Sequence, residues 1–261
     1  EGRVSSFFGD ELIMGSYTVR LLGIYLICML ILLKTKIKFR FYAIPLIILS
    51  SILIILSAER SALLYLILFL ILLFFYLLFL RNFYLPGFFL TIIFFTIITI
   101  YDYSIFNRIV FTTIEQIFIL EQLTFQFFSF EHHQLFKKSL LIFFNNPIFG
   151  VGPGMYEISC IKYITETEEF CSNHPHNSYL QLLSETGLFG FLFIITFLIY
   201  LVMQLTLYFS NNKKYYQKKI FIYNISLVVM FINIWPLTPN GNFFGSFLNI
   251  FYYLPFGFYL L

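Results

Sequence analysis

The sequence predicts an all-α integral membrane protein with about seven transmembrane helices. Hydrophobic residues make up 60% of its 261 residues and charged residues only 11%, and the mean hydropathy is +0.87. A soluble domain with one core does not have this composition. The chain also contains several apolar runs that are long enough to cross a bilayer as helices, separated by polar breaks.

Seven apolar runs are the predicted spans, and each ends at a charged or turn-forming break. Their approximate bounds are 17–33, 41–57, 62–80, 84–101, 188–209, 220–235 and 243–261. Arg20, the one charge in the first span, lies close enough to the span's end to extend toward the interface. Because the chain begins with Glu1, we expect earlier spans to be missing, and we predict one membrane domain over 1–261.

The basic residues orient these spans. Three loops, at 34–40, 81–82 and 211–219, contain nine of the sixteen Lys and Arg residues and none of the thirteen Asp and Glu residues. Basic residues in short loops mark the cytoplasmic side of a membrane protein. The remaining polar segments should therefore face outward, and the longest of them, 102–186, is too long to be a simple connector.

The outward segment 102–186 contains several local signals. Its first part, 105–130, mixes apolar residues with isolated charges, which predicts helices lying in the membrane interface or, alternatively, a re-entrant packing. A helix from about Gln134 to Phe144 should stop before Pro147. Cys160 and Cys171 flank an acidic run that we interpret as a solvated face, and an oxidising compartment predicts a disulfide between them.

The glycine-rich segment 150–154 predicts a tight turn. Its sequence, Gly-Val-Gly-Pro-Gly, is not followed by the Gly-Lys-Ser/Thr of a nucleotide-binding loop, so no nucleotide cofactor is expected. A turn of this kind lets the backbone approach a neighbouring helix or an anionic substrate. A purely structural turn is the alternative.

Polar groups are concentrated just before the fifth span. Ser178 and Gln181 have the spacing of a capping box, so a short helix should begin at Ser178 and end where Gly187 adopts a left-handed conformation. His176 and Asn177 then lie at the helix N-terminus, where a bound anion is favoured and a protonated imidazole is disfavoured. A neutral histidine at this point suits a general base, while a loop histidine satisfied by water is the alternative.

Two motifs in this region resemble the O-antigen ligase and O-antigen polymerase superfamily. In the first, His176-Asn177 is followed after nine residues by Gly187-Leu188-Phe189-Gly190. In the second, the segment 146–154 resembles the family's Asn-Pro-hydrophobic-hydrophobic-Gly-x-Gly pattern. The resemblance extends from about Arg3 to the C-terminus and is strongest over 145–190.

The resemblance implies a bacterial inner-membrane glycosyltransferase whose site faces the periplasm. Such enzymes transfer an undecaprenyl-diphosphate-linked glycan to an acceptor sugar hydroxyl. Ligases use lipid A-core as the acceptor and polymerases extend lipid-linked repeats, and the shared motifs do not separate the two. We expect membrane lipid as a partner, inversion at the donor sugar, and neither a metal, a cofactor nor a nucleic-acid partner.

This chemistry requires a base for the acceptor hydroxyl and cations for the diphosphate. His176 is the predicted base. Arg60, at an outward break between spans, resembles an arginine of the family, and its guanidinium suits a phosphate, although an interfacial anchor is the alternative. Arg3 and Arg108 are weaker candidates, and Lys137-Lys138 stand where family members often carry an arginine. The other predicted substrate-binding residues are Asn177, His174, Gly152 and Gly154.

Two other functions are weighed against this one. A metal-dependent hydrolase could use His174 and His176 with His132 or His133, but His-x-His without a defined third ligand is a weak zinc signal. A flippase or other transporter of lipid-linked oligosaccharides usually places polar groups near mid-membrane, whereas here they collect in one outward loop.

Overall fold

A computed structural model describes residues 13–33, 36–76, 93, 96–97, 103–119, 124–125, 129–164, 170–210 and 218–261. Over these residues the regular secondary structure is helical apart from one short antiparallel pair, β1 (Phe118–Ile119) and β2 (Thr124–Phe125). The helices are α1 (Met14–Leu32), α2 (Lys36–Leu56), α3 (Arg60–Tyr76), α4 (Tyr103–Phe106), a π-helical turn (Asn107–Phe111), α5 (Thr112–Ile117), α6 (Phe130–Asn145), α7 (Tyr156–Ile161), α8 (Ser178–Ser210), α9 (Lys218–Asn233) and α10 (Ser246–Leu260). The predicted helical class is confirmed.

Within the described ranges, two helices are long and apolar enough to cross a membrane by length and composition: Met14–Leu32 and Ser178–Leu207. Three shorter apolar helices, Phe41–Leu56, Arg60–Leu73 and Lys219–Asn233, coincide with the second, third and sixth predicted spans. The fourth predicted span, 84–101, falls outside the described residues except at 93, 96 and 97. The total of seven spans stays a prediction.

The segment predicted to form interface helices is only partly helical. Helical structure ends at Ile117, and β1 pairs Phe118 with Phe125 and Ile119 with Thr124. The prediction of helix was therefore wrong at this point, because aromatic and β-branched residues also favour strands. Farther along, α6 ends at Asn145, as the nearby Pro147 predicts.

The chain divides into two compact units. The first contains Glu1–Phe111, Met203–Asn233 and Phe251–Leu261. The second contains Thr112–Val202 and Ile234–Ile250, and therefore both sequence motifs.

In the first unit, Glu59 ties the break between α2 and α3 to the start of α1. Its side chain is only 4% exposed. The carboxylate accepts hydrogen bonds from the backbone N–H groups of Gly15 and Ser16, and from the Ser16 hydroxyl at 2.7 Å. These N–H groups have no partner inside their own helix, and a carboxylate complements the positive helix end.

Arg20 does not extend toward the interface as predicted. It is 5% exposed, and its guanidinium carbon lies 5.1 Å from the ring centroid of the buried Tyr65 on α3. This arrangement is a cation–π contact. The prediction failed because the packing of α1 against α3 offers the guanidinium an aromatic face inside the protein.

In the second unit, α6 and α7 share a small core of Leu135, Ile142, Tyr156 and Cys160. The Tyr156 hydroxyl donates to the Leu135 carbonyl at 2.9 Å. Burial raises the pKa of Tyr156 to about 12, so the phenol stays neutral. The core sets α7, and with it Cys160, in a defined place beside α6.

Candidate active site

Helix α8 begins at Ser178, as predicted, but its capping residue is Asn177. The Asn177 side-chain oxygen accepts the backbone N–H groups of Tyr179 at 3.0 Å and Leu180 at 3.1 Å. The predicted capping box is therefore wrong, because Asn177 satisfies the helix start and Gln181 bonds elsewhere. The Tyr179 and Leu180 N–H groups, at the helix end where an anion was predicted to bind, therefore donate to the protein's own side chain.

His176, the residue before this cap, has an unusual backbone conformation. Its φ angle is +54°, in the left-handed region that non-glycine residues seldom adopt. Its carbonyl accepts a hydrogen bond from the Asn240 backbone N–H at 2.7 Å. The tight turn directs the chain from the His174 loop into α8.

Three imidazole rings lie together at this turn. The His176 ring centroid is 4.1 Å from that of His174 and 5.2 Å from that of His132 on α6. The Ser172 hydroxyl lies 3.3 Å from His176 Nε2. Neither His176 nor His174 has a carboxylate among these contacts to favour its protonated form.

Both loop histidines are neutral at pH 7. Burial lowers the pKa of His176 to about 4, and the neighbouring His132 lowers it further in the same direction. Burial and the positive form of His176 lower the pKa of His174 to about 4 as well. His174 is 8% exposed, and a hydrogen bond with the Asn240 backbone raises its pKa and so offsets part of this lowering. The arrangement offers neutral ring nitrogens that can accept a proton.

A metal site at the histidines would need at least three ligands in a suitable arrangement. Over the described ranges, no group of three or more His, Cys, Asp and Glu side chains has a geometry that could hold a metal ion.

The two motifs that carry the family resemblance, 146–154 and 176–190, are called the glycine motifs here. They dock against each other. The backbone N–H groups of Val151 and Gly152 donate to the carbonyls of Ser184 and Glu185 at 3.1 and 2.8 Å. These carbonyls end the first part of α8, where no further helical N–H is available to them. The turn thus approaches a neighbouring helix, which was one of the two uses predicted for it.

Gly187 allows this close approach. It has φ +64° and ψ −158°, so the first helical stretch of α8 ends at this residue with a positive φ, as predicted, and a second helical stretch follows at once. A side chain at Gly187 would collide with the Ile148 carbonyl, and one at Gly150 would collide with the Glu185 backbone. Both sites therefore require glycine for space as well as for conformation.

Glu185 joins the same two segments through its side chain. It is fully buried, and its carboxylate accepts the backbone N–H of Gly154 at 3.1 Å and of Tyr156 at 3.2 Å. Gln181 donates to it at 3.3 Å. The N–H groups of Gly152 and Gly154 are therefore bonded inside the protein, and contact of these residues with substrate stays a prediction.

Cys160 and Cys171 form a disulfide that connects α7 to the chain leading to His174. Lys138 on α6 is fully buried beside it, and its ammonium donates to the Phe170 carbonyl at 2.9 Å. At this position, where family members often carry an arginine, Lys138 thus supports the protein backbone. The acidic run between the two cysteines lies outside the described residues.

The loop that follows α9 also belongs to this site, and sequence reasoning assigned it no role. It was predicted only as a turn-rich break at 236–242. In the structure its Asn240 contacts the His176 carbonyl and its Asn242 contacts Gln181. The one signal in the sequence was Asn240-Gly241-Asn242, polar residues between two apolar runs.

A family model described as O-antigen ligase matches residues 45–195. The chain belongs to the O-antigen ligase family. No curated protein and no solved structure gives a significant match. The matched residues include Arg60, both glycine motifs and the three clustered histidines, and they end before the Asn240 loop.

Membership of the O-antigen ligase family indicates a bacterial inner-membrane protein that takes part in lipopolysaccharide biosynthesis by glycan transfer. The predicted chemistry uses cations as well as a base, and the cations were predicted to be arginines. Arg60 starts α3 in the first unit, and Arg108 lies in the π-helical turn of that unit. Arg3 lies outside the described residues. Among the predicted site residues, the structure brings together His174, His176 and Asn177 in the second unit.

Proposed function

We propose that the protein transfers a glycan from a lipid-linked diphosphate to a hydroxyl of an acceptor glycan, with His176 as the general base. The observation that carries this proposal is the state of His176, a neutral imidazole held at a constrained turn within one of the family's motifs. A sugar hydroxyl is a poor nucleophile at neutral pH. Partial removal of its proton in the transition state contributes roughly 10²–10⁴-fold to the rate.

The low pKa of His176 fits a base that works only in the loaded enzyme. With a pKa of about 4, the imidazole is unprotonated before substrate binds but is a weak base. A diphosphate anion bound nearby would favour the protonated imidazole and raise its pKa. Donor binding would therefore activate the base at the moment when it is needed.

Arg60 is the proposed partner of the donor diphosphate. A guanidinium keeps its charge at any physiological pH and forms paired hydrogen bonds with phosphate oxygens. Charge compensation must strengthen as the glycosidic bond breaks. Direct attack by the acceptor hydroxyl opposite the diphosphate would invert the anomeric carbon, and the hydroxyl proton would pass to His176. Asn177, His174, Arg3, Arg108, Gly152 and Gly154 stay proposed contributors to substrate binding.

The test uses the purified protein in nanodiscs with a synthetic undecaprenyl-diphosphate glycan and an acceptor glycan. We expect His176→Ala to lose most turnover while donor binding persists, Arg60→Ala to lose both, and Arg60→Lys to recover only part. His133→Ala, a change on the same α6 turn as His132, is the matched control and should retain activity. Full activity of His176→Ala would exclude it as the base.

The same assay separates the alternatives. Loss of wild-type activity in EDTA would favour the metal-dependent hydrolase, and retention of anomeric configuration would exclude a single displacement. Movement of donor from the outer to the inner leaflet of sealed proteoliposomes, without transfer, would favour a flippase. Lipid A-core and a lipid-linked repeat, offered as competing acceptors, distinguish a ligase from a polymerase.

The proposed site faces the periplasm, and seven spans give this topology when the basic loops are cytoplasmic. Exposed apolar side chains on α8 support its placement in lipid, since Phe189 is 77% and Phe193 70% exposed. Single cysteines at Thr167 and Tyr215, labelled with an impermeant reagent in spheroplasts, test the orientation. Labelling at position 215 alone would reverse it.

A further inference from the structure

The loop from Ile234 to Phe243 is attached to the start of α8 by three side chains, one from the capping residue Asn177 and two from the first turns of the helix. Asn177 Nδ2 donates to the Pro236 carbonyl at 2.9 Å, and the Tyr179 hydroxyl donates to the Ile234 carbonyl at 2.6 Å. Gln181 accepts the backbone N–H of Phe243 at 2.8 Å. The loop is thus held at its beginning by Asn177 and Tyr179 and at its end by Gln181.

Of the three anchors, Gln181 bonds to the residues that lie nearest to Asn240 in the chain. It is fully buried, and its Nε2 donates to the Asn242 side-chain oxygen at 2.7 Å. The Phe243 N–H is a donor only, so the amide oxygen of Gln181 must face it and the amide nitrogen must face Asn242. Asn242 in turn accepts the Phe244 N–H at 3.0 Å.

The loop contacts the active site through the backbone of Asn240, which also hydrogen-bonds His174. Asn240, two residues before Asn242, donates its N–H to the His176 carbonyl at 2.7 Å. His176 has φ +54°, a conformation that costs energy for a residue with a side chain and persists only where surrounding contacts hold it. The Asn240 hydrogen bond is such a contact, and it depends on the position of the loop.

We propose that Gln181 is a positioning residue for His176, acting through Asn242 and Asn240. Gln181 fixes the loop, the loop fixes the His176 carbonyl, and the carbonyl fixes the turn from which the imidazole projects. The kinetic consequence rests on the proposed function of His176. The effect on the accessibility of His176 does not.

The first test therefore measures His176 directly. Gln181→Met keeps the side-chain length and removes the hydrogen bonds to Asn242 and Phe243, together with the longer one to Glu185. Wild type and this variant are treated in nanodiscs with diethylpyrocarbonate, and modification of each histidine is followed by mass spectrometry. We expect modification of His176 to rise at least about fivefold, the equivalent of one lost hydrogen bond. His133 in the same samples should be unchanged.

Tyr179→Phe is the matched control. It also removes one anchor of this loop, but at Ile234, away from Asn240. We expect similar losses of thermal stability in Tyr179→Phe and Gln181→Met, and increased His176 modification only in the latter. An equal increase in both variants would mean general loosening and would overturn the proposal. If Gln181→Met does not fold, Asn242→Ala replaces it, because it removes the acceptor for Gln181 Nε2.

The second test is kinetic. A misplaced base lowers kcat and leaves binding of the donor nearly intact, so kcat of Gln181→Met should fall about tenfold with little change in donor KM. Unchanged His176 modification in both Gln181→Met and Asn242→Ala would overturn the inference whatever their activity. Full activity of His176→Ala would instead overturn the proposed function and leave the labelling result standing.

Discussion

The carboxylate of Glu185 accepts a hydrogen bond from the backbone N–H of Gly154, which precedes it by 31 residues in the chain. The same carboxylate accepts the N–H of Tyr156, the first residue of α7. The end of the glycine turn thus binds a carboxyl group of the protein itself, whose pKa is raised by burial. Through this contact the two sequence motifs form one structural element beside His176.

Replacement of Glu185 should reduce stability in proportion to the acceptors lost. Glu185→Gln replaces one acceptor oxygen with a donor nitrogen next to donors, which costs about 1–3 kcal/mol. Glu185→Leu leaves the Gly154 and Tyr156 N–H groups without their acceptor and should cost more. Thermal unfolding in detergent measures both, with the exposed Glu157→Gln on α7 as the control. Unfolding midpoints equal to wild type would show that the carboxylate does not hold the motifs together.

Gly150 and Gly154 form a matched pair for a test of the close packing. Both have positive φ, +66° and +76°, but a side chain at Gly150 would meet the Glu185 backbone whereas Gly154 has no atom within 4 Å of that position. Gly154→Ala should cost about 1 kcal/mol from backbone strain alone. Gly150→Ala adds a collision with main chain and should cost at least about 3 kcal/mol or prevent folding. Equal losses in the unfolding midpoint would contradict the docking of the two motifs.

The Cys160–Cys171 disulfide should stabilise the approach to His174. Its cysteines are separated by 11 residues, and chain entropy for a loop of this length gives roughly 2–3 kcal/mol. The double variant Cys160→Ser, Cys171→Ser should unfold at a lower temperature than wild type, and reducing agent should lower the wild-type midpoint but not that of the variant. Alkylation of both thiols in the unreduced protein, seen by mass analysis, would disprove the bond.

Protein stability should fall as the pH decreases from about 7 to about 4. The pKa of His174 and of His176 is about 4 in the folded protein, against 6.5 for an ordinary histidine. Between these values the unfolded chain binds more protons than the folded one, so acidification favours unfolding until the pH is below the folded pKa. Unfolding midpoints measured from pH 4 to 8 should show this slope.

His174→Gln provides the control for the pH effect. It removes one of the two titrating groups, so the midpoint should vary less with pH than in wild type. Carboxylates elsewhere titrate equally in both proteins and cancel from the comparison. The same slope in both proteins would show that these imidazoles are not buried in the neutral form.

The sequence alone was sufficient to predict the features that depend on local composition and spacing. Long apolar runs predict helices, because the backbone hydrogen bonds of a helix form within the run itself. The helices α1, α2, α3 and α9 lie close to the predicted bounds. Pro147 predicts the end of α6 for the same reason. The two glycine motifs identified the family, which the match over 45–195 confirms.

Only the tertiary structure decided which distant segments supply partners to these elements. Asn177 bonds to a carbonyl 59 residues away, Gln181 to an amide 62 residues away, and Arg20 faces Tyr65 of another helix. Sequence spacing predicted a cap from Ser178 and Gln181 because a capping box is a local pattern. In the folded chain Gln181 is within reach of buried donors and acceptors that would otherwise lose their hydrogen bonds, and satisfying them outweighs the local preference.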